Sequence, residues 1–217
     1  MSRIPLQRKP GRPAKRPAGP DRRTRILDIA TDLFGRHGVS ATSMSAIARR
    51  ARITPALMHY YFGNRESLLD ALVEERLRPA VAEVAQQMAT AREDLRELVE
   101  CFVRSIIKAV ASRPWFPPLW VREVLSEGGM LRERVIDGMG LALIIPLRDR
   151  FAAAQRTGAL NRDLDPNLLV VTLVSLTLFP FASQSIWRAR LGASQVSADT
   201  IASHALALLD RGLEIPR

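Results

Sequence analysis

An all-α fold is predicted by three features of the chain. Apolar residues recur at spacings of three and four along almost its whole length, turn-forming Pro, Gly, Asn and Asp separate these stretches, and the alternation of a strand is absent. About nine helices are expected, three short ones near the N-terminus and a larger helical group behind them. At 217 residues with 47% hydrophobic and 25% charged side chains, the chain can bury a substantial core.

Residues 1–20, MSRIPLQRKPGRPAKRPAGP, hold Pro, Gly and base with little to bury, and are expected to form a disordered basic arm. Order is expected from Asp21, a candidate N-cap. Ile26, Ile29, Ala30, Leu33 and Phe34 then recur at helical spacing, and Gly38 is placed to end the first helix. The second helix carries Met44, Ile47, Ala48 and Ala51 on one stripe, capped by Thr42 or Ser43. Thr54 caps a third, with Pro55 at its first position, where a missing N–H costs nothing. Gly63 and Asn64 break the chain before ESLLDALVEERL opens a fourth. Further helices are expected at about 80–90, 93–112, 115–127, 129–157, 166–190 and 197–212, with Pro180 kinking the 166–190 segment. Asp163 and Asp165 are read as caps for that segment.

Charge is placed unevenly. Residues 1–78 hold 16 Lys+Arg against 7 Asp+Glu, whereas residues 79–217 hold 16 against 15. A polyanion partner is therefore expected at the N-terminal end alone. The longest apolar run, residues 168–182, is shorter than a membrane span and contains Pro180, so no membrane partner is expected. The basic N-terminus has no apolar segment behind it to make a secretory signal. The single Cys101 allows no intrachain disulfide and no cysteine-cluster metal site, which suits a reducing cytoplasm.

Residues 55–62 sort cleanly on a helical wheel. Leu57, Met58, Tyr61 and Phe62 fall on one side, and Pro55, Ala56, His59 and Tyr60 on the other. A short helix, a tight turn and a second helix with a small, polar front make a helix-turn-helix, whose second helix enters the DNA major groove. Pro55 and Ala56 suit thymine methyls, and His59 suits a base edge. Tyr60 and Thr54 suit phosphate oxygens, Arg65 another phosphate, and Ser43 and Ser45 a phosphate and a base edge. Three packed helices with an incidental polar front are the bland alternative.

The run ATSMSAIARRARITPALMHYYFGNRESLL resembles the DNA-binding domain of the tetracycline-repressor (TetR) family. That family's Tyr-x-Tyr-Phe-x-x-Lys-Glu-x-Leu corresponds to His59-Tyr60-Tyr61-Phe62-Gly63-Asn64-Arg65-Glu66-Ser67-Leu68. The likeness covers residues 22–70. It departs at Arg52, where the family has a turn glycine, and at His59, where it has tyrosine. Arg52 is therefore expected in the left-handed region. The resemblance implies a helix-turn-helix domain over 21–70 and an effector-binding and dimerisation domain over 71–217.

In the arm, Gly11-Arg12-Pro13 with Lys9, Lys15 and Arg16 resembles a minor-groove hook, although loose phosphate contacts explain the same residues. Further on, RPWFPPLW places Trp115, Phe116 and Trp120 together. With Phe102 and Met139 they line an apolar effector pocket or plug a helix junction. Arg122, Glu123, Glu127 and Arg132 read as helical-surface charges. The helices at 166–190 and 197–212 are expected to pair with their copies in a homodimer, or else to form a purely internal core.

No cofactor or metal is called for: His37, His59 and His204 lie far apart, and no nucleophile elbow, phosphate loop or dinucleotide fingerprint is present. The expected function is a double-stranded DNA operator-binding regulator released by a small effector, and not an enzyme. A DNA-binding dimer without an effector is the alternative.

Overall fold

The computed structural model describes residues 22–90 and 94–213. Asp21 and the basic arm with Lys9, Arg12, Lys15 and Arg16 lie outside those residues. The described residues form ten helices and no strand: α1 Arg22–His37, α2 Met44–Ala51, α3 Pro55–Phe62, α4 65–90, α5 Leu95–Ala111, α6 116–125, α7 132–156, α8 Pro166–Ala182, α9 Gln184–Arg190 and α10 Ala198–Leu213.

Two expected boundaries change, and proline explains both. The fourth helix and the segment at 80–90 are one helix, despite Pro79. A π-helical turn over Val73–Leu77 precedes the proline, and Arg76 Nη1 donates to the Glu75 carbonyl at 2.9 Å, the acceptor that Pro79 cannot serve. Conversely, the expected helix at 166–190 divides at Ser183 with a 67° bend. Pro180 cannot donate to the Leu176 carbonyl. Beyond it, the Ser183 hydroxyl donates to Phe179 O at 2.8 Å and the Trp187 indole N–H to Pro180 O at 2.8 Å, which settles the bend. Asp165 caps α8 as its spacing implied, and the Leu168 and Asn167 N–H groups hold its carboxyl below the usual range.

Burial gathers in two clusters. In the first, Ile26, Leu27 and Phe34 of α1 pack with Ile47, Met58, Phe62, Leu68 and Leu72, and the same cluster takes in Leu119 and Val124 of α6, Leu131 in the turn that follows, and Val135 of α7. The second joins α4, α5, α7, α8 and α10 through Val84, Leu98, Phe102, Phe151, Leu173 and Ala205. The N-terminal helices thus do not pack alone. Gly35 marks a close approach, because a Cβ there would lie 2.7 Å from the Trp115 carbonyl oxygen. Ion pairs brace the same joint: Arg23 meets Glu75 at 2.6 Å and lowers its carboxyl pKa, and Arg134 of α7 meets Glu66 at 2.5 Å and Asp70 at 2.8 Å on α4.

Candidate nucleic-acid interface and apolar cavity

The turn between α2 and α3 is built from local bonds. Ser43 caps α2, accepting from the Ala46 N–H at 3.1 Å, and Thr54 caps α3, accepting from Leu57 at 3.2 Å. Between them Arg52 adopts φ 56° and ψ 47°, the left-handed conformation expected where glycine would be easier. The Arg52 N–H bonds Arg49 O at 3.2 Å and the Ile53 N–H bonds Ala48 O at 3.0 Å, the paired closure of a Schellman motif. Left-handed geometry costs a side-chain-bearing residue about 1–2 kcal/mol, partly offset in glycine by unfolded-state entropy of about 0.5–1 kcal/mol. Arg52→Gly is therefore expected to stabilise the fold by about 0.5–1 kcal/mol in urea denaturation. A loss of stability would show that the Arg52 side chain contributes more than its backbone costs.

Helix α3 divides as the wheel requires. Met58 and Phe62 are buried, Leu57 and Tyr61 half-buried, and Pro55, Ala56, His59 and Tyr60 exposed. Tyr60 is 80% exposed, and its ring stands edge-on to Tyr61 at 5.4 Å, so the hydroxyl is held outward on a steadied ring. His59 Nδ1 is bonded to the Gly63 carbonyl, which can only accept, so Nδ1 carries the proton. That leaves Nε2 facing solvent, an acceptor on the neutral ring and a donor on the charged one. Ser43, Ser45 and Thr54 are exposed as well.

Sequence reasoning missed a cluster here. Arg49, Arg50 and Arg52 line a groove with His37, Ala41 and Thr42 between α1 and α2. Their concentration in RRAR was the available signal.

Arg65 has a different setting from the one its motif position suggested. Its guanidinium Nη2 donates to the Val39 carbonyl. The N–H of Val39 donates to Glu123 Oε1 at 2.7 Å, and Glu123 Oε2 accepts from Met130 at 3.2 Å. Glu123 is only 6% exposed, so it is a structural clamp and not the surface charge its helical position implied. The peptide groups of fully buried Val39 are thus gripped from α6 on one side and α4 on the other. Arg122 adds a second grip by donating to the Gly35 and Arg36 carbonyls at the C-terminus of α1.

One turn before that clamp, α6 forms the wall of an apolar cavity of about 100 Å³. Phe102, Phe116, Trp120 and Met139 line it together, with α4 and α8 contributing Val84 and Leu178. Trp115 does not: although adjacent to Phe116, it packs against Gly35 and the N-terminal core. Three π-helical turns adjoin the space. Leu77 belongs to one, Met139 and Gly140 to another, and Trp120 immediately precedes the third.

At the far end, α8 buries Leu169, Val170, Leu173, Thr177, Leu178 and Phe181 and leaves the opposite face apolar and open. Leu168 (65%), Val171 (59%) and Phe179 (66%) are exposed there, with Ile186 on α9 and Leu208 on α10.

Residues 26–72 match the family model for "Bacterial regulatory proteins, tetR family", and residues 92–210 match "Tetracyclin repressor-like, C-terminal domain". The HTH-type transcriptional regulator BetI of Rhizobium meliloti (strain 1021) is 37% identical over 89 residues, 40% of this chain and 44% of that relative. The chain thus matches less than half of BetI. Among solved structures, the ketosteroid transcriptional regulator KstR2 of Mycobacterium tuberculosis shares the fold with a TM-score of 0.75 at 18% identity, covering 92% of this chain and 98% of that one. AibR, solved with isovaleryl coenzyme A and operator DNA, gives 0.66 at 23% identity over 87% and 97%. The matched families and relatives are transcriptional regulators and not enzymes. With two family matches that together take in well over half of its residues, the chain belongs to the TetR family of bacterial transcriptional regulators.

Proposed function

We propose that the protein is a homodimeric repressor that binds a pseudo-palindromic operator through α3 and is released by a small, largely apolar effector. The observation that carries this reading is the division of α3, whose exposed front of Pro55, Ala56, His59 and Tyr60 stands opposite buried Met58 and Phe62. Residues 21–70 act as the reading unit and residues 71–217 as the controlling unit, with α4 crossing between them. Pro55 and Ala56 approach thymine methyls, His59 Nε2 meets a base edge, and Tyr60, Thr54 and Ser43 take phosphate oxygens. Ser45 lies beside them on α2, and Arg49 supplies further charge. Arg65 contributes by holding Val39, and through it the α1–α2 turn, rather than as a free phosphate clamp. Dimerisation through α8 and α10 spaces two such fronts about 34–36 Å apart.

Release follows from the placement of α6. Phe116 and Trp120 line the cavity, and Arg122 and Glu123 hold α1 and Val39 one turn further on. An occupant that displaces Trp120 moves the clamp with it, because the helix is continuous. The effector acts only to the extent that it prefers the displaced state. That AibR, of like fold, was solved with isovaleryl coenzyme A and operator DNA supports an effector with an acyl portion.

Two substitutions test the interface. Tyr60→Phe is expected to weaken every operator alike, by about tenfold, through loss of a phosphate contact. His59→Ala is expected to change which base is preferred at one position per half-site, a discrimination worth about 1–3 kcal/mol. If both variants bind every duplex as the parent does, α3 does not read DNA with this face.

A further inference from the structure

The cavity wall is carbon almost throughout, and its two polar side chains are unequal. Thr177 is fully buried, and its hydroxyl donates to the Leu173 carbonyl at 2.8 Å, so its hydrogen is already engaged. Arg113 stands in the turn between α5 and α6. Its stem lines the cavity, and its Nη1 donates to the carbonyl of Ala109, another lining residue, and to Ser112 Oγ, both at 3.0 Å, which fixes the guanidinium beside the cavity wall. Its Nη2 lies 3.9 Å from Glu83 Oε2, close enough for attraction and too far for a hydrogen bond. Among the described residues that line the cavity, none is acidic.

We infer that the effector carries one anionic group on its apolar body, and that Arg113 receives it. This rests on the reading of the cavity as the effector site. A half-buried guanidinium at the edge of an apolar space is costly to cover with hydrocarbon, because the cation loses water and gains nothing. A cationic ligand meets repulsion from Arg113 and finds no carboxylate in the lining. A carboxylate or phosphate instead gains charge-assisted hydrogen bonds from the planar fork, with the geometry already set by Ala109 and Ser112. Glu83 acts as the weak placeholder. Its carboxylate neutralises Arg113 in the empty protein and gives way to an anion able to come within hydrogen-bonding distance. Apolar volume then sets affinity for the body, and Arg113 sets the register of the head group.

The test uses three probes with one chain: octanoate, octan-1-ol and octylamine, titrated into the full-length protein and followed by tryptophan fluorescence and thermal shift. Octanoate is expected to bind about tenfold more tightly than octan-1-ol, and octylamine more weakly than both. Arg113→Gln should abolish the preference by weakening octanoate alone, and Glu83→Gln should tighten octanoate by removing its competitor. Equal binding of acid and alcohol to the parent protein overturns the anion inference while leaving the cavity as an apolar effector site. Equal weakening of both probes in Arg113→Gln assigns the residue a structural role and also overturns it. Saturable binding by none of the three removes the cavity reading together with the inference built on it.

Discussion

Phe179→Asp is expected to separate the protein into monomers and to weaken operator binding by about a thousandfold. Phe179 is 66% exposed on α8, in a row with Leu168 and Val171, and the side of the helix facing the core is already filled by Leu173, Thr177 and Phe181. Among the described residues none covers the outer row, and in the proposed dimer a second copy of the same row does. A carboxylate there costs little in the monomer, since the site faces water. In the paired state it loses hydration against carbon, and its twin across the axis adds repulsion. In the proposed dimer, operator affinity depends on two linked contacts, and losing one forfeits about 10²–10⁴ in avidity. Sedimentation and circular dichroism separate the cases: a folded monomer with weak DNA binding is the expected result, and an unchanged dimer shows that α8 is not the interface.

Glu123→Ala is expected to destabilise the fold by about 3 kcal/mol and to abolish ordered operator binding near the melting temperature. Both carboxylate oxygens are used, by Val39 at 2.7 Å and Met130 at 3.2 Å, and Val39 is wholly buried. Truncation leaves a buried N–H without its acceptor, which costs more than the bond's net worth. Glu123→Gln keeps one acceptor oxygen but turns an amide NH₂ toward the other donor, so about half the loss is expected. The functional consequence is sharper. With the clamp gone, the α1–α2 turn answers less to α6, so operator release by an effector should weaken even at temperatures where the variant is folded. Stability by urea denaturation and effector response by DNA-binding titration check the two parts separately.

These two residues show where a sequence can and cannot be read. The division of α3 follows from periodicity, which is local, so it was legible, whereas α8 is apolar nearly all round and its sequence does not show which face stays open. The caps at Ser43, Thr54 and Asp165 follow from chemistry within four residues, and the left-handed Arg52 was implied by the family resemblance, which has a turn glycine there. Phe116 and Trp120 could be grouped as rings among prolines and Phe102 and Met139 added as neighbours in sequence, but Trp115 could not be excluded, because its direction depends on Gly35 some 80 residues earlier. Glu123 was illegible for the same reason. Nothing near it in sequence marks it as buried, and its acceptor role is defined by Val39, 84 residues away. Arg65 matched a motif position, yet its guanidinium is engaged by a carbonyl 26 residues away. The continuous α4 depended on a π-helical turn and on Arg76 serving the Glu75 carbonyl, an exchange that composition around Pro79 does not reveal.

The measurement that tests the account most directly is selection of bound duplexes from a random-sequence pool by the full-length protein, followed by salt titration on the recovered sequence. The account predicts an inverted repeat with half-site centres about one helical turn apart, and log affinity falling steeply against log salt. It also predicts that Tyr60→Phe recovers the same repeat more weakly and that His59→Ala recovers a repeat altered at one position in each half. Salt-sensitive binding with no enriched sequence would contradict it, leaving only charge-driven association by a protein whose α3 does not read bases.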